Sequence, residues 1–403
     1  LAALEPQPGE RKELESRVKK NSRRVPKRTT STARGGRTAS PAAGHLTLQE
    51  ILSQPKTWVE TARQFELNSE LLRQLHSFSH DGPWLFVACG SSYYLSRTIA
   101  AQWAKLLQVA CTAVPASELL FAQHETMKRT GARQVALLSR SGKTTEVLRA
   151  AQWLKTEAVR TLGVTCNESS VLEELCTHTL KLPWADEKSM VMTRSFTSIL
   201  LYFERLGAKF AGDAALASAL DALPEKTATW LAENADKIRA FGTKRRFADF
   251  VFLGQGAHYW LAQEAALKMT EMSSSYAQAY HTLEFRHGPK SIASDETLIT
   301  FLLSEAAAEE EILMAGELKK LGAATLVVAN RATRELRRDC DLLIELGLNE
   351  PEYARMAMTA IPAQLLGLSV GLRKGLNPDK PKNLTRAVVL DSKHGALAKR
   401  RGA

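Results

Sequence analysis

The chain has 403 residues, 44% of them hydrophobic and 24% charged, enough for two or three ordinary domains and a sizeable core. No apolar run approaches the roughly 18 residues of a membrane-spanning helix, and the N-terminus lacks the apolar stretch of a secretory signal. The net charge of +11 is concentrated, with 11 Lys/Arg against four Glu in residues 1–45 and more Lys and Arg in the last residues. The body is therefore close to neutral. It carries no basic stripe with interleaved aromatics, which argues against nucleic-acid binding by the core.

Residues 1–45 are rich in Lys, Arg, Ser, Thr, Gly and Pro without apolar periodicity, and are expected to be a disordered basic tail. The first methionine is Met127. A start there would delete the first polar turn described below, so the frame is expected to open upstream of it. The five cysteines are scattered and never in a CxxC pair, a pattern that suits reduced thiols in a cytoplasmic protein. From about Leu46 to Leu75 apolar residues recur at helical spacing, interrupted at Pro55.

Short apolar runs then alternate with helical stretches, which predicts an α/β fold on a parallel sheet. The alternation occurs twice. WLFVACGSSYYLSRTIAAQW (84–103) matches FVFLGQGAHYWLAQEAALKM (250–269), VALLSRSGKTTEVLRAAQWLK (135–155) matches TFLLSEAAAEEEILMAGELKK (300–320), and TLGVTCN (161–167) matches TLVVAN (325–330). The offset stays near 165 residues over three elements in order, which argues for duplication. The expected organisation is two flavodoxin-like lobes, 46–212 and 213–380, each a parallel sheet of about five strands. Residues 381–403 form a tail expected to close the site.

In such sheets ligands bind beyond the C-terminal strand ends. The first lobe offers two polar turns there, Cys89-Gly90-Ser91-Ser92 and Ser139-Arg140-Ser141-Gly142-Lys143-Thr144. Hydroxyls and free N–H groups at helix N-termini make a cradle for phosphate. Helix capping would explain any one of these residues, but not their density. The counterpart turn in the second lobe, Ser304-Glu305-Ala306-Ala307-Ala308, has lost hydroxyls and gained acid, so a phosphate belongs to the first lobe. Nucleotide motifs fail on spacing. A P-loop ending at Gly142-Lys143-Thr144 would need glycine at Leu137, and a dinucleotide fingerprint from Gly254 would need it at Tyr259.

The densest polar segment is 263–291. Glu264, Lys268 and Glu271 share one helix face, and His281, Glu284, Arg286 and His287 follow in an expected loop ending at Gly288-Pro289. A carboxylate with a histidine suits aldose–ketose chemistry, in which one group opens the sugar ring and another moves a proton between C1 and C2. Singly, Glu264 with Lys268 reads as a solvated pair and a lone histidine as structural. His281 and His287 have no nearby Cys or Asp partners, so no zinc is expected.

Together, the CGSS turn, the S-x-S-G-x-T turn and E-x-x-x-K-x-x-E followed by HGP resemble the SIS (sugar isomerase) domain family over about residues 46–392. ALKMTEMSSSYAQAY is similar to the isomerase half of glucosamine-6-phosphate synthase; VTCNE, MTRSFTS and FRHGPKSIASDETL look more like its galactosamine-6-phosphate deaminase/isomerase branch. The resemblance implies that Cys89, Gly90, Ser91, Ser92, Ser139, Ser141 and Thr144 hold the sugar phosphate and that Thr193 closes the same site. It implies that Glu271 moves the C1/C2 proton, His287 opens the ring and Lys268 steadies the opened sugar, with Glu264, Arg286 and Arg386 as further contacts. In the family this histidine often serves a partner subunit's site, which implies a homodimer or higher homo-oligomer.

Two departures bear on the activity. Only a basic tail precedes the lobes where the synthase has a glutaminase domain. Arg386 stands where the synthase has a Schiff-base lysine, and a guanidinium that stays protonated cannot replace it. The expectation is a metal- and cofactor-free deaminase/isomerase for a hexosamine or hexose 6-phosphate. Alternatives are a fructosamine-phosphate deglycase, a plain isomerase like the synthase half, and a non-catalytic sugar-phosphate sensor.

Overall fold

The computed structural model describes residues 42–79 and 82–390. Most of the expected basic tail and the last part of the C-terminal tail lie outside the described residues. The opening amphipathic segment forms helices α1 (His45–Leu52), α2 (Gln54–Leu67) and α3 (Ser69–Ser79). Pro55 falls in the first turn of α2, where its missing N–H costs nothing, so it divides the segment without unwinding it.

Two five-stranded sheets follow. The first holds β1 (Trp84–Ala88), β2 (Cys111–Pro115), β3 (Gln134–Leu138), β4 (Arg160–Thr165) and β5 (His178–Lys181). The second holds β6 (Asp249–Gly254), β7 (Ala277–His281), β8 (Thr297–Leu302), β9 (Ala324–Ala329) and β10 (Leu342–Glu345). Every pairing is parallel, and the orders are β2-β1-β3-β4-β5 and β7-β6-β8-β9-β10. These are one topology read twice, the flavodoxin-like order. The repeated segments of the sequence fall on equivalent elements, β1 on β6, β3 on β8 and β4 on β9, so the expected pair of parallel α/β lobes is what the chain forms.

Strand alternation divides the core. Trp84, Phe86 and Ala88 of β1 face a large cluster shared between the lobes, while Leu85 and Val87 face a smaller one beneath the outer helices. In the second lobe Phe250 and Phe252 face inward, and Val251 and Leu253 outward. Of the longer helices, α4 (Ser91–Leu106), α6 (Arg194–Ala211), α7 (Ala214–Lys244), α8 (Ala257–Ser273) and α10 (Ile361–Arg373) fill the shared layer, while α5 (Thr145–Thr156) and α9 (Ala308–Lys320) lie outside. Helix α8 packs on both α4 and α10, so it belongs to the second lobe and yet borders the first.

The segment expected to be a loop from His281 is more ordered. His281 ends β7 and stacks on Tyr259 with ring centroids 3.8 Å apart, and Leu283–Arg286 form a 3-10 turn.

Candidate active site

Helices α4 and α8 both begin immediately after a strand and a glycine. Gly90 has φ 57° and Gly256 φ 58° with ψ near −130° in each, a conformation that a side chain disfavours. The sharp entry aims the first N–H groups of α4 past the end of β1. At the end of β3, Gly142 (φ +64°) closes the second polar turn. A Cβ there would meet Ser170 Oγ at 2.2 Å, so glycine is required. Ser139, behind the turn, donates to Thr144 Oγ1 at 3.0 Å and fixes that hydroxyl.

These turns border a cavity of about 220 Å³. From the first lobe it is lined by Cys89, Gly90, Ser91, Ser92, Arg140, Ser141 and Thr144, with Met190 and Met192 beyond. Glu271 enters from α8 of the second lobe, and Leu384–Val388 cross its mouth. Eight of the site residues expected from sequence therefore meet in one cavity: Cys89, Gly90, Ser91, Ser92, Ser141, Thr144, Glu271 and Arg386. Burial, reinforced by Glu146, pushes the Cys89 thiol up to about 11, which disfavours the thiolate.

Lys268 joins the two lobes chemically. Its side chain is 1% exposed, and Nζ donates to Ser91 Oγ at 2.9 Å and to the Glu271 carboxylate. The third member of the face, Glu264, lies 3.3 Å from Nζ and is 3% exposed, yet neither of its oxygens is met at hydrogen-bonding geometry. Burial pushes the Glu264 carboxyl up to about 7 against the pull of the Lys268 ammonium, with Glu271 adding to the rise. Burial pulls the Lys268 ammonium down, but the two carboxylates outweigh it and hold it above its ordinary value. One cation is thus shared between two acids beside a serine of the first polar turn. A solvated surface pair, the bland reading of this spacing, is excluded.

Other expected residues lie elsewhere. Thr193 is fully buried and acts through its backbone, whose N–H donates to Glu187 at 2.8 Å; it does not line the cavity. Arg286 is engaged by Glu317 at 3.0 Å and Glu310 at 3.4 Å and does not line this cavity within the chain. His287 is exposed and does not line this cavity within the chain.

Sequence reasoning missed Arg140, Asp186, Glu187 and Glu50. Arg140 is 8% exposed and donates to Glu187 at 3.1 Å; Glu50 accepts from the backbone of Lys188 at 2.6 Å and of Ser189 at 3.1 Å. The available signal was a long cationic side chain between two serines of a polar turn.

The SIS domain model matches residues 78–208 and 249–370, one match on each sheet. The chain belongs to the SIS domain family. Among solved structures, it is similar to glucosamine-6-phosphate deaminase from Thermotoga maritima, with 32% identity over 85% of this chain and 99% of that one, at TM-score 0.70. The tagatose-6-phosphate ketose/aldose isomerase of Escherichia coli shares the fold at TM-score 0.73 and 21% identity, covering 87% of this chain and 98% of that one. Among curated relatives, the isomerizing glutamine–fructose-6-phosphate aminotransferase of Methanothermobacter thermautotrophicus is 27% identical over 86% of this chain. The chain spans 58% of that relative's length. No helix among the described residues is long and apolar enough to cross a membrane.

Proposed function

We propose that the chain is an amino-sugar-phosphate deaminase/isomerase working at C1 and C2 of a hexosamine 6-phosphate. The observation that carries this reading is the buried Glu264–Lys268–Glu271 cluster bonded to Ser91 of the phosphate turn. It supports the reading because Glu271 and the hydroxyls of the two first-lobe turns line one cavity. The likeness to a glucosamine-6-phosphate deaminase over almost its whole length supports the amino-sugar substrate.

Ser91, Ser92, Ser141 and Thr144, with the N–H groups of the two turns, hold the phosphate, and Ser139 orients Thr144. Once the ring is open, Glu271 takes the C2 proton while O1 is protonated, which gives an enolamine. The Lys268 ammonium stabilises the charge that develops on oxygen. Glu271 then returns its proton to C1, leaving an imine at C2. Water adds to that imine and ammonia leaves, so the products are ketose 6-phosphate and ammonia. The exposed His287 is assigned to ring opening in the cavity of a second copy, so the working unit is at least a dimer.

Ammonia release from glucosamine-6-phosphate and galactosamine-6-phosphate, wild type beside Glu271→Gln, tests this. Ammonia from either sugar, lost in the variant, supports the reading and names the sugar. Ammonia from neither overturns deamination and leaves isomerisation of a plain hexose phosphate as the reading to assay.

A further inference from the structure

Residues 382–390 form an irregular strap, with a turn at 382–383 and a bend at 386–387, of which 384–388 line the cavity, and this strap has almost no apolar anchorage. Leu384 is 37% exposed, Val388 51%, Val389 67% and Leu390 43%. With so little buried surface, its position depends on a few polar contacts. Thr145, at the start of α5, donates its N–H to Val388 O at 3.1 Å and accepts from Leu390 N through its hydroxyl at 3.0 Å. Arg386 pairs with Asp186 on the surface. The remaining contact is buried at its donor end, where Arg140 Nη2 reaches Arg386 O at 3.3 Å and Met190 O at 3.0 Å.

Arg140 lies inside the phosphate turn, and its guanidinium is spread over three segments. Nη1 takes Glu187; Nη2 bridges the carbonyls of the strap and of the loop after β5. Neutralising a buried carboxylate would explain only the first contact. Glu187 is in any case well satisfied, accepting from the N–H groups of Thr193 and Ser195 at 2.8 Å each and from Ser195 Oγ at 2.8 Å. The planar fork of arginine can aim one nitrogen inward and the other outward, which lysine cannot do.

We propose that Arg140 is a positioning residue that fastens the C-terminal strap to the phosphate turn, so that phosphate in the turn and the strap over the cavity stabilise each other. Reciprocity follows from linkage: if the fastened strap tightens phosphate binding, bound phosphate tightens the strap by the same factor. The ligand part of this inference rests on the proposed phosphate site; the fastening part does not.

The test is hydrogen exchange of the strap, read at the Leu390 amide that Thr145 Oγ1 holds, in the full chain, wild type against Arg140→Gln and Arg140→Lys. It is run without ligand, with inorganic phosphate and with glucosamine-6-phosphate. Both variants are expected to exchange the strap about tenfold faster without ligand, as loss of a charge-assisted contact implies. Phosphate slows the strap in wild type and not in the variants, and KM for the sugar phosphate rises about tenfold while kcat changes far less. Arg140→Lys keeps a cation beside Glu187, so it decides the matter if Arg140→Gln does not fold. Strap exchange at the wild-type rate in a folded variant overturns the proposal. If the variants loosen the strap but phosphate protects nothing even in wild type, the fastening stands and the phosphate-site reading fails.

Discussion

The two lobes share strand order, crossover pattern and a glycine-gated helix, yet they treat the same place at the sheet edge in opposite ways. In the first lobe the turn after β3 leaves Ser141 and Thr144 facing a cavity. In the second, Ser304 occupies the position of Ser139, and its N–H and hydroxyl are already taken by the Glu311 carboxylate, at 2.8 and 3.1 Å. Thr282 Oγ1 completes that shell at 2.6 Å. Glu311 is fully buried, so the second lobe fills with its own carboxyl group the place that stays open to a cavity in the first. A neighbouring ion pair is inverted as well. Arg140 of the first lobe pairs with Glu187, whereas its counterpart Glu305 pairs with Arg355. After duplication, one acid at a helix start and one reversed pair accompany the difference between a lobe proposed to receive phosphate and one that supports it.

The sharpest way to break this comparison is at the group only the composite cavity has. Glu271→Gln should lower turnover at least about a thousandfold, in the upper range for general acid–base groups, with KM within a few-fold, read by ammonia release. Next in size, Thr144→Val and Ser141→Ala should each weaken inorganic phosphate about tenfold, as expected for a hydrogen bond to a charged group, measured by calorimetry. The mirror substitution Ser304→Ala should leave phosphate affinity unchanged and instead cost about 1–3 kcal/mol of stability, because Glu311 loses a donor. An effect of Ser304→Ala on phosphate binding would contradict the division of labour. The smallest effect concerns pH. The folded state holds the Glu264 proton up to about 7, whereas an ordinary glutamate loses it near 4.5. That stabilising contribution is complete below the lower value and is lost as pH rises through the upper one. Thermal melts across this window should show wild type losing stability relative to Glu264→Gln; parallel curves would mean that Glu264 is ionised throughout.

The fold was legible because parallel α/β units write their strands as short buried runs, and three such runs recurred in order. Site residues that depend on local geometry were also legible. Ser91 and Ser141 stand at strand ends, and Glu264, Lys268 and Glu271 fall on one helix face by spacing alone. What sequence spacing did not supply was long-range partnership. Arg286 looked available until Glu310 and Glu317, two dozen and more residues further on, were seen to engage it. Thr193 is fully buried, and the partner of its backbone N–H, Glu187, was not evident from spacing. Arg140 was named within the second polar turn but given no role, because its three partners come from the loop after β5 and from a strap some 250 residues away. Helix spacing likewise could not reveal that Lys268 is buried, since α8 is covered by a helix of the other lobe.

The bond from Lys268 to Ser91 also bears on biosynthesis. Its partners are 177 residues apart in the chain, and a ribosome makes the serine roughly ten seconds or more before the lysine at ordinary elongation rates. A nascent chain with only its first lobe folded would carry the anion cradle and none of the acids proposed to move a proton. Under the proposed function it could hold a sugar phosphate but not convert it, and competence would arrive only when α8 docks on α4. Separately expressed halves should then be inert apart and regain turnover when mixed, which makes activity itself a reporter of lobe docking.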